Sequence, residues 1–128
     1  MQPLPSKPQK SPDRLKAERF GRRAETLAAL YLRLKLYRVL KTRYKTPVGE
    51  IDLIAERFGV TVFVEVKTRM RRDAEAEALA SVNQSRILRA ASYFVMRHPD
   101  RADTPMRFDV LFLTPGRWPS HLQNAFQG

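Results

Sequence analysis

Apolar residues recur along the chain with two different periods, and the switches between them mark the elements. Phe20, Ala24, Leu27, Tyr31 and Leu34 fall at helical spacing and predict an amphipathic helix whose buried stripe they form. The helix starts near Ser11-Pro12-Asp13, where a serine cap precedes proline in the first turn, and ends between Leu36 and Arg38. Val39 to Tyr44 reads as a short edge strand, after which Pro47-Val48-Gly49 turns the chain. Two strand-like runs follow, Gly49 to Ile54 and Val62 to Lys67, joined through Arg57-Phe58-Gly59 as a hairpin. A second helix, from about Ala74 to Arg97, carries Leu79, Val82, Ile87, Ala91 and Phe94 on its core face. Pro99 to Pro105 is a loop, and Arg107 to Thr114 is a strand in which Phe108, Val110 and Phe112 alternate. Leu122 to Phe126 reads as a single helical turn. Residues 1–11, with Pro3, Pro5, Pro8, Lys7 and Lys10, read as a disordered basic tail. The order α, β-hairpin, α, β predicts one α/β domain over residues 12–128, built on a mixed central sheet flanked by helices.

The hairpin holds the candidate chemistry. Strand side chains alternate faces, so Glu65 and Lys67 point one way while Val62, Val64 and Val66 point the other. Setting Glu56 opposite Thr61 places Asp52 opposite Glu65 and Glu50 opposite Lys67, with Cβ atoms of such pairs about 5 Å apart. A slip of one residue would carry Asp52 to the other face. Matching Ile51 and Leu53 with Val62, Val64 and Val66 opposes that slip, and Ile54 breaks the alternation where both faces are covered. Charges in so apolar a strand are costly unless something uses them. Asp52 and Glu65 supply two carboxylate ligands for a divalent cation and the Val66 backbone carbonyl a third oxygen, a donor set that suits Mg2+ or Mn2+. Lys67 would orient a water and neutralise charge on a phosphate, with Glu50 as a second ligand or a partner for Lys67. The competing reading makes Glu65 and Lys67 an ion pair on an exposed sheet face. Asp52, Glu50 and the charge distribution favour the metal site.

That distribution is uneven. Of a net charge of +11, residues 1–47 hold 13 Lys and Arg against 3 Asp and Glu, and residues 48–128 hold 11 against 10. A basic half beside a nearly neutral half points to a polyanionic partner, nucleic acid ahead of an anionic membrane surface. The absence of cysteine excludes disulfides, thiolate zinc sites and a cysteine nucleophile, and fits a cytoplasmic location. No apolar run is long enough to span a membrane as a helix.

Outside the hairpin the signals are thinner. Arg22, Arg23, Lys41, Arg43, Lys45, Arg69, Arg71 and Arg86 are candidate phosphate contacts. Tyr44 among Lys41, Arg43 and Lys45 is an aromatic interleaved with cations, as in nucleic-acid-binding surfaces. Gln84 and Arg86 read equally as contacts to a scissile phosphate and as ordinary helix-surface residues. Glu25, four residues after Gly21, reads on its own as a surface glutamate beside Arg22. Trp118 reads as a cap on the core ahead of a base-stacking platform. His98 and His121 fall in loops without partners at metal-binding spacing.

Gly-Glu-Ile-Asp-Leu-Ile at 49–54, Phe-Val-Glu-Val-Lys-Thr-Arg at 63–69, Ala24-Glu25 and Arg-Phe-Asp-Val at 107–110 resemble the YraN-like bacterial proteins, a largely uncharacterised family predicted to contain endonucleases. The similarity runs over residues 18–127. That family is in turn similar to archaeal Holliday-junction resolvases and to the PD-(D/E)xK nucleases. The resemblance implies a restriction-endonuclease-like fold, with Asp52 and Glu65 as metal carboxylates, Lys67 as the site lysine and Glu25 as a further catalytic, metal-binding carboxylate. It also implies two-fold pairing as a homodimer. Leu36-Tyr37 stands where relatives often carry a helix-ending glycine, and Asn83-Gln84 where they often carry Lys-Gln. The expected function is metal-dependent hydrolysis of phosphodiester bonds in DNA, including branched or junction structures, with structured RNA behind it. The alternative is a non-catalytic nucleic-acid-binding or assembly factor that keeps the fold.

Overall fold

A computed structural model describes residues 12–70 and 75–127, without the side chains at positions 13, 14, 16–18 and 22. The predicted basic tail, Arg71 and the Arg22 side chain therefore lie outside the described residues. The chain runs α1 (Pro12–Leu34), β1 (Arg38–Thr46), β2 (Gly49–Arg57), β3 (Val60–Thr68), α2 (Glu75–Ala80), α3 (Gln84–Arg97), a 3-10 turn (Pro99–Arg101), β4 (Met106–Leu113) and β5 (Ser120–Phe126). Its five strands form one sheet in the order β1-β2-β3-β4-β5. Only β3 and β4 are parallel, joined by a crossover through α2 and α3. This is the expected mixed α/β architecture, consistent with a restriction-endonuclease-like fold. Among the described residues, no helix is long and apolar enough to cross a membrane.

The two faces of the sheet carry separate cores. On one, Ala24, Ala28, Tyr31 and Leu32 of α1 meet Leu53, Val62, Val64 and Leu111. On the other, Ile87, Ala91 and Phe94 of α3 meet Ile51, Ile54, Phe63 and Val110. The stripe expected on α1 is rotated: Leu27 and Leu34 are exposed, and Ala28 and Leu32 take their place in the core. Small alanines let α1 lie close to the sheet, and the larger leucines fall on its shoulder.

Helix α1 ends in a Schellman motif. Tyr37 N–H donates to the Leu32 carbonyl at 2.9 Å and Leu36 N–H to the Arg33 carbonyl at 3.0 Å. Leu36 adopts φ +69°, the left-handed conformation that glycine takes at this position in most such caps. A leucine there costs about 1–2 kcal/mol. Leu36→Gly is accordingly expected to stabilise the protein by about 1 kcal/mol in urea unfolding.

Two expected elements differ. The long second helix is two, because the Asn83 side chain accepts from Arg86 N–H at 3.2 Å and caps a new helix. The segment 122–126 is strand rather than helical turn, since β4 offers a free edge and pairs with it from Phe108↔Phe126 to Phe112↔Ser120. His121 consequently lies in a strand and not in a loop. The β2–β3 hairpin turns on Phe58 (φ +53°) and Gly59 (φ +79°), the two-residue turn with positive φ at both positions that suits the strand twist.

Candidate active site

The hairpin register is as the sequence indicates, with Glu56↔Thr61 through Leu53↔Val64. The ladder stops there. Asp52↔Glu65 and Glu50↔Lys67 do not continue it. Ile51 packs in the α3-side core while Leu53 packs in the α1-side core. Residues two apart on a regular strand share a face, so β2 turns at Asp52, and Ile51 does not join Leu53 as expected. Strand β1 deforms in concert: Arg43, between the pairs Thr42↔Leu53 and Tyr44↔Ile51, has φ +48°.

The turned strand aims the Asp52 carboxylate at β3. Its Oδ2 accepts from Val66 N–H at 2.7 Å, and its carboxyl group hydrogen-bonds that of Glu65. The two carboxyls thus meet on one side of the sheet, half-buried. Burial, and next the neighbouring Asp52 charge, push the Glu65 carboxyl up to about 8. Burial likewise raises Asp52, against the hydrogen bond from Val66. Two carboxyls held this close and this dry resist being ionised together.

A cleft of about 180 Å³ opens over them, lined by Glu50, Asp52, Glu65 and Lys67 from the sheet and by Ser81, Asn83 and Arg86 from the helical side. Arg86 spans it to Glu50 at 2.8 Å, so Glu50 is the partner of Arg86 rather than of Lys67. Asn83 lines this wall, whereas Gln84 is exposed and does not. The capping role of Asn83 is the signal that sequence reading passed over: a polar residue ahead of a helical apolar pattern fixes where the helix begins.

Gly49 sets the depth of the cleft. A Cβ there would sit 2.3 Å from the Arg86 carbonyl oxygen, and Arg89 Nε donates to the Val48 carbonyl at 3.1 Å. The start of β2 and the first turn of α3 therefore touch backbone to backbone, which brings Asn83 and Arg86 over Glu65. Gly49→Ala is expected to cost about 1–3 kcal/mol, measured as a lowered urea midpoint.

A second pocket, about 220 Å³, adjoins Asp52 and is lined by Glu25, Arg43, Lys45 and Glu50. Here Glu25 forms a short ion pair with Arg43. Glu25 is thus beside Asp52 but engaged elsewhere, and among the described residues no three His, Cys, Asp or Glu side chains group to hold a metal. Other expected contacts scatter. Arg69 donates to the Thr68 carbonyl at 2.7 Å and to Ser81 Oγ at 3.4 Å. Lys41 and Arg23 are exposed away from both pockets. Tyr44 is half-buried edge-on to Phe94 at 5.5 Å and joins the α3-side core instead of offering a stacking surface.

The comparisons with known proteins decide the family. The model of the uncharacterised protein family UPF0102 matches residues 24–113. The chain belongs to this family. UPF0102 is the YraN-like group whose motifs the sequence resembles. A UPF0102 protein of Parvibaculum lavamentivorans is 52% identical over 113 residues, covering 88% of this chain and 85% of that one. Another, from Rhodopseudomonas palustris, is 46% identical over 119 residues, covering 93% and 92%. The UPF0102 protein mlr4633 of Mesorhizobium japonicum is 47% identical over 118 residues, covering 92% and 94%. The UPF0102 match contains every cleft residue.

Proposed function

We propose that this UPF0102 protein is a divalent-metal-dependent endonuclease that hydrolyses phosphodiester bonds in DNA. The observation that carries the reading is the contact between the Asp52 and Glu65 carboxyls beside Lys67, in a cleft with a cationic rim. The donor chemistry fits a hard divalent cation: two oxygens crowded until one retains a proton, which a cation would displace. Asp52, Glu65 and the Val66 carbonyl would hold Mg2+ or Mn2+, which supplies Lewis-acid activation of water and of the phosphate when bound.

The chain's own residues do the rest. Lys67 donates toward the attacking water and the phosphate oxygens, where fixed donors in a water-poor site act most strongly. Arg86, released from Glu50 by an incoming phosphate, and Lys45 on the adjoining pocket hold the backbone on either side. Phosphate contacts position a strand without reading its sequence, so substrate preference follows the shape of the nucleic acid.

The test is cleavage of a panel of duplex, flap, four-way junction and single-stranded DNA, and structured RNA, with Mn2+ and with chelator. Cleavage of at least one DNA that chelator abolishes, and that Asp52→Ala and Lys67→Ala each reduce by at least about 100-fold, is the expected result. Binding that survives in folded variants, with no cleavage by the wild type on any substrate, would instead establish the non-catalytic binding factor. Affinity should fall steeply as salt rises.

A further inference from the structure

Among the described residues, helix α1 presents a row of exposed leucines. Leu27, Leu30 and Leu34 are 41%, 52% and 64% exposed and lie at i, i+3 and i+7. They form one wall of an apolar groove of about 240 Å³ whose other wall is the loop after β4, with Arg117 and Trp118. Trp118 is 67% exposed and rests edge-on to Tyr31 at 5.9 Å, so it rims the groove rather than capping the core. A contiguous apolar groove walled by exposed leucines is the mark of a surface completed by a partner.

We propose that this groove docks an amphipathic helix of a different protein, one whose apolar ridge is flanked by acidic residues. Leucines at helical spacing beside a raised loop receive a helix as a ridge seated in a groove. The charge of the partner follows from the rim. Arg117 lines the groove, Arg23 continues the leucine row one turn earlier, and Lys35 lies over the Tyr31 ring at 5.8 Å. Among the described residues, no acidic one lines it. A second copy of this chain would set these cations against their own equivalents in a self-complementary contact, on a protein of net charge +11. The basic tail of the same chain meets the same repulsion. A flat membrane surface does not fill a channel between a helix and a loop. The groove lies on the α1 side of the sheet, opposite the cleft, so an occupant leaves the cleft open.

Trp118 is the chain's single tryptophan and reports directly on the groove. The experiment titrates the full chain with a synthetic helical peptide of leucines at i, i+3, i+4 and i+7 on a glutamate background, following Trp118 fluorescence. Parallel titrations use the same peptide on a lysine background and phosphatidylglycerol vesicles, and sedimentation follows the protein alone across concentration. Saturable binding of the glutamate peptide is expected, at least tenfold weaker for the lysine peptide. Leu30→Asn with Leu34→Asn should weaken it at least tenfold while the thermal midpoint holds, because both side chains are exposed in the wild type. These neutral changes leave the charge intact, so the loss reports the groove and not general attraction to a basic protein. Equal binding of the two peptides, binding insensitive to the double substitution, preference for vesicles, or self-association that the double substitution abolishes would each overturn the proposal.

Discussion

Asp109→Ala is expected to lower stability by about 3–5 kcal/mol, the cost of opening a buried ion network by removing one partner. Asp109 is fully buried, and all its bonds come from the chain itself. Arg107 grips both carboxylate oxygens at 2.8 Å, His121 Nε2–H donates to Oδ2 at 2.7 Å, and Asn124 N–H donates to Oδ1 at 2.9 Å. Arg107 extends the network to the Tyr37 hydroxyl at 2.6 Å. One carboxylate therefore fastens the edge strand β5 to β4 and to the segment leaving α1. Its loss would strand a guanidinium in a half-buried site. A domain of this size has about 5–15 kcal/mol in total, so the melting midpoint should fall by roughly 10 °C or more. A variant within about 2 °C of wild type would contradict this account. Burial alone pushes the Asp109 carboxyl up, but the bonds from His121, Arg107 and Asn124 outweigh it and hold it below the usual carboxylate range. The contribution is thus present above the unfolded value near 3.8 and is lost as pH falls through the lower, folded value. Arg107→Ala combined with Asp109→Ala should cost less than the sum of the two.

Glu65→Gln should have the opposite effect on stability and a larger one on activity. The amide keeps the shape and removes a charge that the fold disfavours. Glu65 sits at about 8 in the folded protein against 4.5 ordinarily, so its protonated form is the one the fold favours. The wild type bears no penalty below about pH 4.5 and an increasing one as pH rises toward 8. The variant should therefore be more stable than wild type by about 1–3 kcal/mol at pH 8, with the gain shrinking toward zero at pH 5. Cleavage should fall at least about 100-fold, and millimolar Mn2+ should raise the wild-type midpoint at pH 8 but not the variant's. Unfolding curves at the two pH values, with and without Mn2+, check all three. A variant less stable than wild type at pH 8 would mean that Glu65 serves the fold rather than a function.

The same contrast explains what could be read ahead of the coordinates. Glu65, Lys67 and Asp52 were legible because period-two alternation and a two-residue hairpin leave one register that hides the valines. Glu25 and Arg43 were legible as residues but not as a pair, since their contact depends on how α1 lies over β1. Asp109 and His121 were missed for a related reason: they are 12 residues apart, and His121 has a partner only because residues 120–126 pair with β4 as a strand. Leu122-Gln123-Asn124-Ala125-Phe126 reads locally as a helical turn, and the open edge of β4 overrides that reading. Leu27 and Leu34 followed the helical period faithfully yet stayed outside the core, because periodicity defines a stripe and not its rotation against a neighbour.

By itself, then, the order of residues determined the first helix and the first four strands, the β2–β3 register from Leu53 to Arg57, the family, and the presence of Asp52, Glu65 and Lys67 together, all of which depend on short-range alternation, turn chemistry and motif. Tertiary structure decided the turn of β2 at Asp52, the seating of α3 on Gly49, the strand at the C-terminal end and the burial of Asp109. Each of these balances a local backbone preference against packing between segments distant in sequence, and that balance is struck only when the sheet and both helical layers are assembled.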